Sequence, residues 1–186
     1  MNKTIHAIIQ NFRNEMVEIV SVYQEKVESA DRYADDYKKP IIEEATSAYT
    51  NQTVGAKTKA LSAIQEAKEN RIQEVTKEYF APVDPEVLSA LNLLEQVQPS
   101  KQELEILVTK YGTQPLVMRR LAQIAKGVNI MLPELVNVPT IDQVIEKINS
   151  PVELGKTMIK TINEQKPNLN NLTFNIGMQS LLEKSS

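Results

Sequence analysis

Few side chains in this sequence are of a type that does chemistry, and their spacing constrains function before anything else does. The chain has one histidine, His6, and no cysteine. Thiolate nucleophiles, disulfides, thiolate metal sites and the paired-histidine zinc helix are therefore excluded. Adjacent carboxylates occur at Asp35–Asp36 and Glu43–Glu44. Acid–base catalysis or a hard-cation site needs carboxylates that converge on one cleft. Neighbours on a helix point about 100° apart, so these pairs read as solvated faces. None of the 5 glycines lies in a phosphate-cradling pattern, and no serine sits in a G-x-S-x-G turn. His6 falls beside the apolar stripe described below and reads as a surface side chain. No catalytic, cofactor-binding or metal-binding residue is expected, and no small-molecule substrate; the chain reads as not an enzyme.

One constellation has a spacing suited to recognition. Two short helical stretches flank Tyr111-Gly112-Thr113 within residues 103–127, which is the outline of a helix-turn-helix. Leu107, Met118 and Leu121 fall near that motif's apolar positions. Arg119, Arg120, Gln123 and Lys126 then lie on or near the second helix, where they could meet phosphates or an acidic partner protein. Val108 stands where the motif packs a small residue, and Pro115 comes early in the second helix. Residues 83–186 carry ten bases and eleven acids, a balance that suits a structural αα-corner better than a cationic DNA binder.

The elements that must position these residues follow from a change of composition near residue 82. Residues 1–82 hold one leucine, ten alanines and five of the six tyrosines; residues 83–186 hold fifteen leucines and three alanines. Only Pro40 precedes Pro82, and seven prolines follow it. A breaker-poor first half predicts long helices, and a punctuated second half predicts short ones. The expected fold class is all-α: a long N-terminal helical arm or hairpin, coiled-coil-like, over residues 1–80; a hinge at 81–85; a bundle of short helices over 86–166; and a weakly ordered tail at 167–186.

The arm carries a heptad. With a at Ile9, Met16, Tyr23, Ala30 and Tyr37, the d positions are Ile5, Phe12, Ile19, Lys26 and Tyr33. This predicts one apolar stripe on a helix of roughly 36 residues, ~54 Å long. The stripe must be buried against a helix of the same chain, an identical chain or another protein. Ile5, Ile9, Phe12, Met16, Ile19 and Tyr23 are the candidate protein-interaction residues. Pro40 predicts a turn, a kink or the first turn of a new helix. Residues 41–80 read as helical but poorly striped, with 50–55 as a candidate loop; an antiparallel hairpin and a kinked rod both fit.

Beyond the hinge, Asp84-Pro85 predicts a helix start, and Ser100-x-x-Glu103 a capping box. Gly112 predicts a helix end, Pro115 opens a third helix, Thr140 a fourth and Ser150-Pro151 a fifth. No apolar run approaches the ~20 residues that span a bilayer, and the N-terminus lacks an apolar leader core, so a cytoplasmic protein with no membrane partner is expected.

The strings D-P-E-V-L-S-A-L-N-L-L-E-Q-V and S-K-Q-E-L-E-I-L-V-T-K-Y-G-T-Q-P-L-V-M-R-R-L-A-Q-I-A-K, within residues 84–127, resemble small accessory proteins encoded in the head-gene region of tailed phages of Gram-positive bacteria. The resemblance covers about a quarter of the chain. It implies a non-enzymatic factor of virion assembly, scaffold-like or capsid-associated, working in the host cytoplasm. Its implied partners are other copies of itself or a phage structural protein. Such scaffolds often close on a basic helical segment; here Glu183 and Lys184 are the charged residues of the last twenty. The alternative reading is a helix-turn-helix DNA-binding regulator using residues 103–127.

Overall fold

A computed structural model of the chain describes residues 1–165. These residues form an all-α protein of seven helices, and the expected tail at 167–186 lies outside them. The described residues divide into two compact units: residues 1–71 with 148–165, and residues 72–147. This differs from a division at 81–85. Residues 148–162, expected in the short-helix bundle, instead share a core with the N-terminal helices.

Unit 1 is a three-helix bundle. The first helix, α1 (Asn2–Ala30), contains no glycine or proline. Its heptad stripe buries Ile5, Ile9, Phe12, Met16, Ile19 and Ala30. The helix stops at Ala30 rather than near residue 37, and residues 31–34 make the reversal. Tyr33 and Tyr37, assigned to the stripe by heptad, therefore stand outside it and are exposed.

The next helix, α2 (Asp35–Tyr79), runs unbroken for 45 residues, roughly 68 Å at 1.5 Å per residue. Pro40 lies in its second turn. The proline removes one backbone bond, the one an N–H at position 40 would give the Asp36 carbonyl, and the helix runs on through it. Residues 50–55, the candidate loop, are helical. Pairs between α1 and α2 show a closed antiparallel hairpin: Glu15–Lys59 at 3.2 Å, the Tyr23 and Tyr49 rings at 5.5 Å, and Lys26–Glu44 at 3.7 Å.

α2 is striped after all, with an unusual period. Ala45, Tyr49, Thr53, Ala56, Ala60 and Ile64 are buried, at steps of four, four, three, four and four. Eleven residues in three turns is about 3.67 per turn, close to the helix's own 3.6, so these mostly small residues stay on one face.

The third member of the bundle is the latter part of α7 (Ile141–Lys160). The expected fourth and fifth helices are this one helix, which passes through Pro151 at the loss of a single backbone bond. Gly155 is buried where α7 meets the hairpin. A Cβ there would lie 2.7 Å from Ile5 Cγ2, 3.2 Å from Ile64 Cδ1 and 3.3 Å from Ile9 Cδ1. Lys57 closes the end of α7, donating to the Lys160 carbonyl at 3.5 Å, to the Ile162 carbonyl just beyond the helix at 2.8 Å and to Glu164 Oε1 at 2.8 Å. A cation on the last carbonyls of a helix satisfies acceptors that have no intrahelical donor. The Tyr49 hydroxyl donates to the Asn163 carbonyl at 3.0 Å, and burial pushes its pKa above the ordinary tyrosine value.

Unit 2 packs α3 (Pro85–Gln96), α4 (Lys101–Tyr111) and α6 (Pro133–Val136) around α5 (Pro115–Gly127). The expected caps form. Asp84 accepts from the Glu86 N–H at 2.8 Å with Pro85 at the first helical position. Ser100 and Glu103 complete a reciprocal capping box at 3.3 and 2.7 Å. Thr140 and Gln143 build a second box at the start of α7, at 2.9 and 3.2 Å. Gly112 sits at φ −56°, so the α4–α5 turn needs no left-handed residue. The four-residue α6 had no counterpart in the sequence reading.

The Ser100 backbone N–H, and then its hydroxyl, hold the Glu103 carboxyl below the ordinary glutamate pKa. A depressed folded-state pKa contributes stability that is complete above the unfolded value and is lost as pH falls through the folded one. Denaturation midpoints followed from pH 7 down to about 3 should therefore fall further for wild type than for Glu103→Gln, which keeps a capping side chain without a charge. Parallel profiles would show that the box carries no linkage.

Candidate functional site

The six arm residues singled out for partner binding are committed inside unit 1. Ile5, Ile9, Phe12, Met16 and Ile19 are buried, and Tyr23 packs half-buried against the same core. α2 and the latter part of α7 cover the stripe, so it presents no face to another chain in the folded protein. The physical reason is the small-residue seam of α2, which lets a second helix approach closely enough to seal the stripe.

The second group, on α5, divides. Arg119, Gln123 and Lys126 lie three and four residues apart, hence on one face of the helix, and all three line a groove of about 610 Å³ in unit 2. Arg120 points elsewhere and pairs with Glu95 of α3. Arg119 is half-buried and donates from Nη1 to the Tyr79 hydroxyl at 3.4 Å. That hydroxyl in turn donates to the Pro139 carbonyl at 3.2 Å. Tyr79 is itself buried, so it is a fixed post that steadies the guanidinium.

The groove owes its shape to the end of α5. Asn129 adopts φ 55°. The Ile130 N–H reaches the Ala125 carbonyl at 2.9 Å, and the Asn129 N–H reaches the Lys126 carbonyl at 3.3 Å. This is a Schellman closure with asparagine in the left-handed position where glycine is commoner. It ends the helix at Gly127 and turns residues 130–132 back beside the α5 face. Ile130, Met131, Leu132, Leu135, Val136 and Val138 supply the apolar lining, and no carboxylate is among the lining residues. Met131 is 81% exposed and Val136 60% exposed. Methionine is a common adaptable contact at docking surfaces.

Sequence reasoning missed Met131 and Val136 because they obey no helical period. The available signal was a bare apolar Ile-Met-Leu run directly after an asparagine in a helix-ending position. Most of the groove's polar capacity comes from Arg119, Gln123, Lys126 and Asn129. Together they suit an apolar ligand segment flanked by negative charge.

The helix-turn-helix outline is present as α4, a turn at 112–114 and α5. A recognition helix reads bases with its N-terminal residues. Here that turn offers Leu116, half-buried, with Val117 and Met118 buried, and Arg120 is already neutralised by Glu95. Among the described residues no helix is long and apolar enough to cross a membrane, and no cluster of three or more acidic or histidine side chains could hold a metal ion. No family model matches the chain, and comparisons with curated proteins and with solved structures return no match.

Proposed function

We propose that the chain is a non-enzymatic protein–protein interaction factor of virion assembly, scaffold-like or capsid-associated, acting in the host cytoplasm through the α5–α6 groove. The carrying observation is the groove itself: an apolar trough with two cations and no acid in its lining, whose rim residues Met131 and Val136 lie open to solvent. Isolated exposed apolar residues are ordinary, whereas a concave cluster of them beside charged groups of one sign marks a contact surface. Unit 1 supplies a rigid bundle and spends its apolar stripe on its own stability. The assembly role rests on the resemblance at residues 84–127, which spans α3, α4 and most of α5.

The test is a photo-crosslinking amino acid placed at Met131 in cells producing virions, with the same group at exposed Ser47, outside the groove, as control. Adducts to a virion structural protein or to the chain itself are expected from position 131, reduced in a Lys126→Glu background and absent from position 47. Failure of position 131 to form any protein adduct would overturn the reading.

A further inference from the structure

The groove calls for an apolar or aromatic segment with acids beside it, and this chain exposes one. At the α1–α2 reversal, Tyr33 is 56% and Tyr37 72% exposed. Between them lie Asp35 and Asp36, both exposed. The nearby Lys38 is engaged by Asp31, and Lys39 lies 4.0 Å from Glu43. Asp35 also acts on Lys38 through its charge, Asp36 forms no ion pair among the described residues, and Arg32 is the remaining exposed cation of the turn. Other exposed apolar side chains lack this pattern. Phe80 stacks on its neighbour Tyr79 at 5.2 Å between ring centroids, and Leu88, Leu93, Val97 and Ile106 are aliphatic residues spread over two helices.

We infer that the groove of one copy receives the α1–α2 turn of a second copy, with Tyr37 and Tyr33 entering the apolar trough and Asp35 and Asp36 meeting Lys126 and Arg119. This rests on the reading of the groove as a contact surface and names its occupant. The two surfaces come from different units, so a copy that gives its turn to a neighbour still offers its own groove. The contact closes as a two-fold dimer when the same neighbour returns it, and propagates into a ring or an open chain when a third copy does. Aromatic burial supplies the attraction, and the charges set register and salt sensitivity.

Complementation tests the geometry. Tyr37→Glu spoils the turn and Met131→Glu spoils the groove; both side chains are largely solvent-exposed, so wild-type circular dichroism and melting are expected for each variant. Light scattering should show wild-type mass rising with concentration above that of a monomer, and falling at high salt. Each variant alone should stay monomeric. Their equimolar mixture should form a dimer and go no further, because only one intact groove meets one intact turn. Crosslinks from position 131 should map to the peptide containing Tyr37.

A wild type monomeric at about 100 μM, or either variant assembling as wild type does, would overturn the inference. A monomeric wild type whose position 131 still crosslinks to another virion protein would sink the self-contact and leave the groove reading standing. No adduct at all would remove both.

Discussion

Phe12→Asp is expected to unfold unit 1 rather than to dissolve an oligomer. Phe12 is 2% exposed and shares its core with Ile9, Met16, Tyr49 and Ile159. Removing a buried phenylalanine side chain costs about 3–5 kcal/mol through lost transfer energy and the cavity left behind. Placing a carboxylate in that space adds several kcal/mol more, as desolvation or as the work of protonating it. The sum matches much of the roughly 5–15 kcal/mol by which a domain is stable. The measurement is far-ultraviolet circular dichroism with amide exchange: protection in α1 and in residues 148–160 should vanish together. A Phe12→Asp protein that keeps that protection and merely loses mass in light scattering would return the stripe to the role of an intermolecular seam.

Gly155→Leu should be comparably damaging for the opposite reason, excess volume. The first added carbon already lies 2.7 Å from Ile5 Cγ2. That methyl branches from the Cβ of a buried residue, so it cannot swing aside as the end of a long side chain would. Gly155→Ala separates two effects. Alanine favours a helix interior over glycine by about 1 kcal/mol, and overpacking a filled core costs about 1–3 kcal/mol. The close contact makes the second effect win. Gly155→Ala is expected to lower the urea midpoint at an unchanged slope, a net loss of up to about 2 kcal/mol, and Gly155→Leu to unfold unit 1. A raised midpoint for Gly155→Ala would mean that α7 does not approach the hairpin this closely.

Both expectations concern one seam that sequence pattern half revealed. The heptad in α1 was legible because Ile5, Ile9, Phe12, Met16 and Ile19 are large and regularly spaced. Its cover was not, because α2 presents Ala45, Thr53, Ala56 and Ala60, which look weak when apolarity is judged by size. Close approach of helices needs that smallness, so the feature that hid the stripe is the one that sealed the bundle. Gly155 likewise carries no signal of its own in the sequence, although its missing side chain makes room for Ile5. On α5, the sequence put Arg119, Arg120, Gln123 and Lys126 on or near one helix as a single group, but it could not say that Arg120 would leave the others and turn to Glu95, a partner 25 residues away.

By itself the sequence determined what is local. The all-α class, the α1 stripe, the Asp84 and Ser100 caps, the proline at the head of α5 and the absence of thiol and paired-histidine chemistry all follow from neighbours within a few residues, where backbone geometry and side-chain type decide the outcome. Only the tertiary structure decided that the stripe is spent inside the chain, that residues 148–162 complete the N-terminal bundle, and that the chain after Asn129 folds back to make a groove. The first two depend on surfaces that meet across 44 to 114 residues, and the third on a left-handed turn at Asn129 that no hydrophobic period announces. Burial is gained wherever apolar faces fit, and the fit depends on shape in three dimensions rather than on order along the chain.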